Sequence, residues 1–457
     1  MLALEHPPLP ANAPALWKAD DWPVIGALRF YTQRADMVLE ATDFFSHSGS
    51  NTAELLTGLP LTKGDVERFG GFFIKSMTAL LRHDNFVRNL HLLTRDARVM
   101  CEELLVADVV PGNPEWRVMN PFNVLYRLVY QMTMRTVGAE EVADNRALGD
   151  YTLAVFQDLE KRNSTAKVYL PWLPSPAHYL RMWDGFRLYR VFSRIIKERQ
   201  SKGTAYHDSF QYLIDSGASV KDITGFEINS LFGGQINTGI NAAWLPIFLS
   251  VTPQWKARVV AEVDGVISRH RTSPDQKVAD VLEALSLDIW QTEFPLLVDM
   301  CLRESIRLTI RGSPMRKNVT DADVALDSHS EAAEVIPVGA YATYLLDLVH
   351  FNSDIYSDPL RFDPGRYEPD RAEDKKVPHA FLGWGSGRHP CLGTRFAKLE
   401  ITLIMAHFFA FFEFELAADA NATPTAKAPP LPNRNLHAVS RPEQPVYMRY
   451  KPRPGAF

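Results

Sequence analysis

The residue pattern predicts a mainly α protein with a minor β-sheet, and three observations carry that expectation. Between Met119 and Glu160 apolar residues recur every three or four positions, through Leu125, Leu128, Val129, Met132, Tyr151, Val155, Phe156 and Leu159, the signature of amphipathic helices. Periodic segments of the same kind follow as far as Ala410. Strand character is short and scattered, at 334–338, 340–344 and 445–450.

In chain order, a helix is expected from Val87 to Leu105. The prolines at 171, 174 and 176 disfavour helix and suggest an extended surface loop. Helix resumes from His178 to Lys202, with Arg181, Arg187, Arg190, Arg194, Lys197 and Arg199 expected on a solvated face. The next runs from Ile223 to about Pro246, where the ring removes a donor and kinks or ends it. Thr252 reads as an N-cap with Pro253 in the first turn of a helix reaching His270. A further helix covers Glu293 to Leu308, and a last one carries Phe396, Leu399, Leu403, Ala406 and Ala410.

The 457 residues are 46% hydrophobic with a formal net charge of −5, and basic residues are spread along the length, so no basic face for a nucleic acid is expected. No repeat or long Gly/Ser linker divides the chain, which reads as a single domain over 1–457. Residues 1–21 read as a Pro-rich N-terminal extension without a membrane anchor. The longest apolar runs, Ala242–Leu249 and Ile401–Phe412, fall short of the roughly 20 residues that span hydrocarbon. Cys101, Cys301 and Cys391 are three, widely spaced and without a CxxC pair, which excludes a disulfide framework and fits a reducing compartment.

The most informative segment is Phe381-Leu-Gly-Trp-Gly-Ser-Gly-Arg-His-Pro-Cys-Leu-Gly393, running into the last helix. Its glycines let the backbone turn tightly around one cysteine. At the head of a helix Cys391 meets the positive end of the macrodipole and unpaired first-turn amides, both of which favour thiolate. A thiolate in such a loop can approach a flat prosthetic group as an axial iron ligand. The alternative is a buried free thiol. Glu304 and Arg307, three apart on one helix face, and Arg366 in Phe362-Asp-Pro-Gly-Arg-Tyr367 are placed to form a charge-assisted network that pins this loop to the core.

Glu-x-x-Arg at 304–307, Pro-x-Arg-Tyr at 364–367 and the glycine-cysteine string ending at Gly393, in this order and spacing, resemble the haem-thiolate cytochrome P450 superfamily, of the eukaryotic and especially fungal microsomal type. The resemblance implies the single-domain cytochrome P450 fold over about Trp17 to Pro452, haem b as cofactor and Cys391 as its proximal ligand. It places His389 and Arg316 at the haem propionates, with Trp384 and Gly385 also cofactor-binding. Glu304, Arg307 and Arg366 match the structural charge triad.

Two departures matter. In Leu231-Phe-Gly-Gly-Gln-Ile-Asn-Thr-Gly-Ile-Asn241, Ile236 and Asn237 stand where the family has its proton-delivering acid and threonine, with Thr238 about 100° further round. Asn237 and Thr238 are the catalytic candidates, since an amide can still hydrogen-bond oxygen. Similar Gln-x-Asn strings occur in the branch that holds sterol 7-hydroxylase and prostacyclin synthase. Secondly, after Trp22-Pro-Val-Ile-Gly26 the chain passes almost directly from Phe44 to Leu59 and the helix at Val87, so the N-terminal sheet is expected to be shortened and the chain to be a truncated product. No Trp-x-x-x-Arg supplies the usual propionate contact there.

The function expected is a monooxygenase acting on a small apolar substrate (steroid, fatty-acyl or terpenoid) with O2 and electrons from NADPH-cytochrome P450 reductase. Expected pocket walls are Phe72, Phe73 and Met77, then Phe232, Ile236 and Asn237, then Gly312–Met315 and Leu436–Val439. The rivals are a haem-thiolate isomerase or peroxide-rearranging enzyme, and a truncated non-catalytic haem-binding product. The expected location is the cytoplasmic side, associated with the endoplasmic-reticulum membrane by peripheral contact, with no transmembrane anchor in this chain.

Overall fold

The computed structural model describes residues 63–162, 176–203, 206–311, 315–325, 335–343, 345–386, 390–433 and 439–455. Helix dominates them. The first part holds α1 (Lys63–Leu80), α2 (His83–Leu105), α3 (Pro121–Val137), α4 (Glu140–Asp144) and α5 (Arg146–Lys161). The middle holds α6 (Pro176–Lys202), α7 (Ser209–Asp215), α8 (Val220–Ser250), α9 (Pro253–His270), α10 (Val278–Ala284) and α11 (Leu287–Thr292). A π-helical segment, Leu296–Leu302, feeds α12 (Arg303–Thr309), followed by α13 (Leu346–His350) and α14 (Thr394–Phe411).

The sheet is small, as the few strand-like stretches foreshadow. Strands β1 (Val109–Val110), β2 (Asn113–Met119), β7 (Phe412–Ala417) and β8 (Tyr447–Pro452) form one antiparallel sheet in the order β1-β2-β8-β7, with Tyr450 opposite both Arg117 and Phe414. Two-stranded ribbons join β3 (Met315–Lys317) to β6 (Tyr341–Thr343) and β4 (Val324–Ala325) to β5 (Val335–Ile336). The expected loop before Pro176 and the expected shortening of the N-terminal sheet fall outside the described residues.

The main core is a hydrophobic cluster reaching from Met77 to Tyr450, with α8 through its middle, and a small second cluster gathers Ile355, Tyr356 and Ala380. Helix α8 is buried on nearly every side because its sequence is apolar all round. It docks on α3 through the Gln235 side-chain amide, which donates to the Tyr126 carbonyl at 2.8 Å, and through an edge-to-face pair of Phe122 and Trp244 at 5.6 Å.

Four sequence expectations are corrected. Helix α8 does not stop at Pro246 but runs on to Ser250. A proline inside a helix costs about 3 kcal/mol, and stacking of Trp244 on Phe248 (5.2 Å) and of Phe248 on Phe362 (4.9 Å) offsets it by packing. Thr252 does not cap α9, because its hydroxyl donates backward to the Phe248 carbonyl at 2.7 Å and closes α8 instead. The helix expected over 293–308 is a π-helix from Leu296 to Leu302, where the Glu262 carboxylate caps its start by accepting the Leu296 and Leu297 amides at 2.7 and 3.0 Å. Arg199 is not solvated: it is 3% exposed, bonded to Asp208 at 2.6 Å and Glu141 at 2.9 Å, and stacked on Tyr206. Arg190, Arg194 and Lys197 of the same helix are exposed as expected.

His407 of α14 gives the core a pH-sensitive element. Its ring lies between Trp290 (5.9 Å) and Phe411 (6.4 Å), and its Nδ1 donates to the Leu403 carbonyl at 2.7 Å. Burial, with the nearby Arg98 charge, pushes its pKa down to about 4 from 6.5. A depressed histidine pKa stabilises the fold fully above pH 6.5 and progressively less as pH falls toward 4, because the unfolded chain then binds the proton. Between pH 7 and pH 5 the stability of the wild type should therefore fall relative to His407→Phe by about 1–2 kcal/mol. Urea unfolding of both proteins at the two pH values checks this, and a constant difference contradicts it.

Candidate functional site

Helix α12 carries Glu304 and Arg307 on one face, both fully buried. The two carboxylate oxygens of Glu304 accept from Arg307 Nη2 and Nε at 2.8 Å each, from Arg366 Nε at 3.0 Å, from the Tyr367 hydroxyl at 3.0 Å and from the Asp363 amide at 3.1 Å. Arg366, also fully buried, reaches Glu373 with its other arm at 2.6 Å. Although burial pushes the Glu373 carboxyl up, Arg371, Ser357 and Arg366 together hold it at about 2. Buried charge is tolerated only when it is paired and hydrogen-bonded, as Glu304, Arg307 and Arg366 are here. The sequence foretold Glu304, Arg307 and Arg366. Glu373, which completes the network, sits in an ordinary charged run with nothing local to mark it.

The cysteine loop hangs from this network. The Tyr356 ring lies 4.8 Å from the Arg307 guanidinium, and its hydroxyl donates to the Ala380 carbonyl at 3.0 Å. Gly383 leaves no room for a side chain, since a Cβ there would lie 2.5 Å from both Ile306 Cγ2 and the Phe381 ring. Gly385 takes φ +76°, where glycine alone is unstrained, and its amide closes a turn on the Leu382 carbonyl at 2.9 Å. Trp384, half-buried against the core, offers its carbonyl to the Cys391 amide at 2.8 Å.

Cys391 thereby stands exposed three residues before α14, whose first residue, Thr394, donates its hydroxyl to the Cys391 carbonyl at 2.9 Å. The other two cysteines are buried, and burial pushes both of their thiols up. The alternative of a buried free thiol at 391 is therefore corrected: tight glycine turns present this sulfur instead of packing it.

Helix α8 presents a matching opening. Between Ile223 and Leu249 the exposed residues are Gly233 and Asn237, one helical turn apart, flanked by half-buried Asn229, Phe232 and Gly234. Asn237 and Asn241 tie this stretch together, the Asn241 amide donating to the Asn237 carbonyl at 3.0 Å. The Asn241 oxygen accepts from Thr309 at 2.9 Å and Ser305 at 3.3 Å, which fixes α8 to α12. Thr238 is buried, 7% exposed. Gly233, which as a helix-interior glycine costs about 1 kcal/mol against alanine, is the residue that opens this stripe, with no neighbouring atom within 4 Å of where its Cβ would stand.

This donor chemistry fits haem b. One exposed, backbone-anchored cysteine is the kind of residue that would hold a haem iron through its sulfur, and a glycine-lined helical stripe would suit a flat face. Of the remaining candidates, Arg316 lies in β3 with its backbone opposite Ala342, and His389 lies outside the described residues. Among the expected pocket walls, Phe72 and Phe73 pack on Phe226 at 6.3 and 5.3 Å, while Met77 and Ile236 belong to the core. Phe232 meets Phe156 of α5 edge-to-face at 5.0 Å, a partner whose helical periodicity had suggested core alone. Val439 is buried, and Gly312–Pro314 and Leu436–Ala438 lie outside the described residues.

Comparison with known proteins agrees with this geometry. The Cytochrome P450 family model matches residues 76–437. Cytochrome P450 monooxygenase AacuE of Aspergillus aculeatus is 33% identical over 393 residues, 85% of this chain and 76% of that protein. Cytochrome P450 monooxygenase nsrP of Aspergillus novofumigatus is 30% identical over 359 residues, 78% of this chain and 66% of that protein. Obtusifoliol 14-alpha demethylase of Sorghum bicolor is 29% identical over 368 residues, 78% of this chain and 71% of that protein. The exposed cysteine, the buried Glu-Arg-Arg network and these matches converge: the chain belongs to the cytochrome P450 family of haem-b-binding oxidoreductases.

Proposed function

We propose that the chain is a monooxygenase that inserts oxygen into a small apolar substrate, with Cys391 as the residue that would hold haem b through its sulfur and electrons supplied by NADPH-cytochrome P450 reductase. The observation that carries this reading is the exposed Cys391 thiol, held by its amide on the Trp384 carbonyl. When bound, the haem supplies the oxygen and one-electron chemistry. The chain's own part is placement. Cys391 gives the sulfur, and its turn is locked by Gly383 and Gly385. Asn237, exposed on α8, offers an amide that donates to or accepts from an oxygen atom where the family pattern has an alcohol. Thr238, buried about 100° further round, supports that turn of the helix. Arg316 and His389 are proposed as propionate partners.

Phe232, half-buried beside Asn237, gives an apolar wall, which suits a steroid, fatty-acyl or terpenoid substrate. The relatives named for sterol 14-demethylation favour a flat polycyclic one. No helix among the described residues is long and apolar enough to cross a membrane. Peripheral contact with the endoplasmic-reticulum surface is proposed through the exposed ridge of Tyr179, Leu180, Trp183 and Phe186 on α6.

Turnover separates the monooxygenase from an isomerase. Purified holoenzyme with reductase, NADPH and O2 should convert a steroid or fatty-acyl panel member to a product one oxygen heavier, and omitting NADPH should abolish that product. Product formed from a hydroperoxide alone, without reductase, would establish the rearranging enzyme instead.

A further inference from the structure

Between the buried ion network and the cysteine loop stands an imidazole to which neither the motifs nor the proposed chemistry gives a task. His350 ends α13 and is fully buried. Its carbonyl accepts from Arg307 Nη1. Its ring stacks on Phe381 at 5.4 Å with 19° between the planes, and its Nε2 lies 3.0 Å from the Leu382 amide nitrogen. A backbone N–H only donates, so Nε2 accepts and the ring is the neutral tautomer with its proton on Nδ1. Burial, together with the charges of Arg307 and Arg311, keeps the imidazole neutral by lowering its pKa to about 3.

From that acceptor a hydrogen-bonded series runs to the sulfur-bearing residue. Leu382 donates to His350, Gly385 donates to the Leu382 carbonyl at 2.9 Å, and Cys391 donates to the Trp384 carbonyl at 2.8 Å. We infer that His350 is a positioning residue for the cysteine loop: its Nε2 fixes the Leu382 amide and thereby sets where Cys391 stands, coupling the loop to Arg307. Tyr356 holds the neighbouring Ala380 carbonyl, but it anchors the segment before the turn, whereas His350 engages the residue whose carbonyl closes the turn. An imidazole does this where an aliphatic side chain does not, because it fills an apolar slot, stacks on Phe381 and still provides an acceptor inside the core.

This inference rests on Cys391 being the haem ligand, and neither arm of its test needs turnover. His350→Phe keeps the ring and the stack but loses the acceptor. His350→Gln keeps an acceptor at about the reach of Nε2. In the holoenzyme, amide exchange in the peptide spanning 380–386 should be about tenfold faster in His350→Phe than in wild type, the scale of one buried N–H left unpaired. Decay of the red-shifted thiolate Soret band of the reduced, CO-treated protein should accelerate about as much. His350→Gln should stay close to wild type in both. Equal behaviour of His350→Phe and wild type overturns the positioning role, and so does equal disturbance by both variants. A wild-type protein that shows no thiolate band at all overturns the haem-thiolate reading and this one with it.

Discussion

Replacing Cys391 with alanine is expected to abolish the red-shifted Soret band of the reduced, CO-treated protein and to bring product formation to background, while leaving the haem-free polypeptide as stable as before. The combination follows from position. The side chain is exposed and the loop is shaped by backbone: the Cys391 amide on Trp384, the Thr394 hydroxyl on the Cys391 carbonyl and the positive φ of Gly385 all survive the substitution. Exposed substitutions away from such features usually stay within about 0.5 kcal/mol. Urea unfolding of the haem-free proteins reads the stability arm and absorption spectroscopy reads the ligand arm. A Cys391→Ala protein that keeps the thiolate band would show that Cys391 is not the ligand.

The second large effect is expected at Glu304. Its two oxygens collect five donors, two of them from one guanidinium and one from another, all away from water. Glu304→Gln has nearly the same shape but turns one oxygen into an NH2 group that faces N–H donors and removes the charge that two buried arginines share. Breaking a buried pair from one side costs about 3–5 kcal/mol, because the partner charge stays behind. Arg366 keeps Glu373, so the deficit falls mostly on Arg307 and on the cysteine loop attached through Tyr356. For contrast, the Lys202–Glu198 pair at 3.8 Å is well exposed on both sides, and Lys202→Ala should change stability by no more than about 0.5 kcal/mol. Denaturant midpoints of the three proteins measure the contrast, and a Glu304→Gln loss under about 1 kcal/mol would show that the network is not a stability element.

What the sequence revealed was what local chemistry writes down. Helices showed through their apolar period, and the Glu304, Arg307 and Arg366 triad and the Cys391 loop showed through motifs whose spacing is itself the structural requirement. What stayed hidden depends on distant partners. Pro246 reads as a stop until Trp244, Phe248 and Phe362 are stacked around it. Arg199 reads as a surface cation until Asp208 and Glu141 arrive from other segments. Glu373 and His350 carry no local mark at all, since each matters for what it meets 7 to 43 residues away, at Arg366, Leu382 and Arg307. The open stripe at Gly233 and Asn237 was half legible: Asn237 was singled out by its place in the motif, while the opening that Gly233 leaves showed only once the rest of the helix was packed.

The wide winding from Leu296 to Leu302 lies immediately upstream of Glu304. Such a turn holds about one residue more than a regular helix would in the same rise. A one-residue deletion there has somewhere to go: the turn can tighten to ordinary pitch while everything downstream keeps its rotational phase. Length variation that would swing an anionic side chain out of its arginine cage in most helices is, at this spot, absorbed before it arrives.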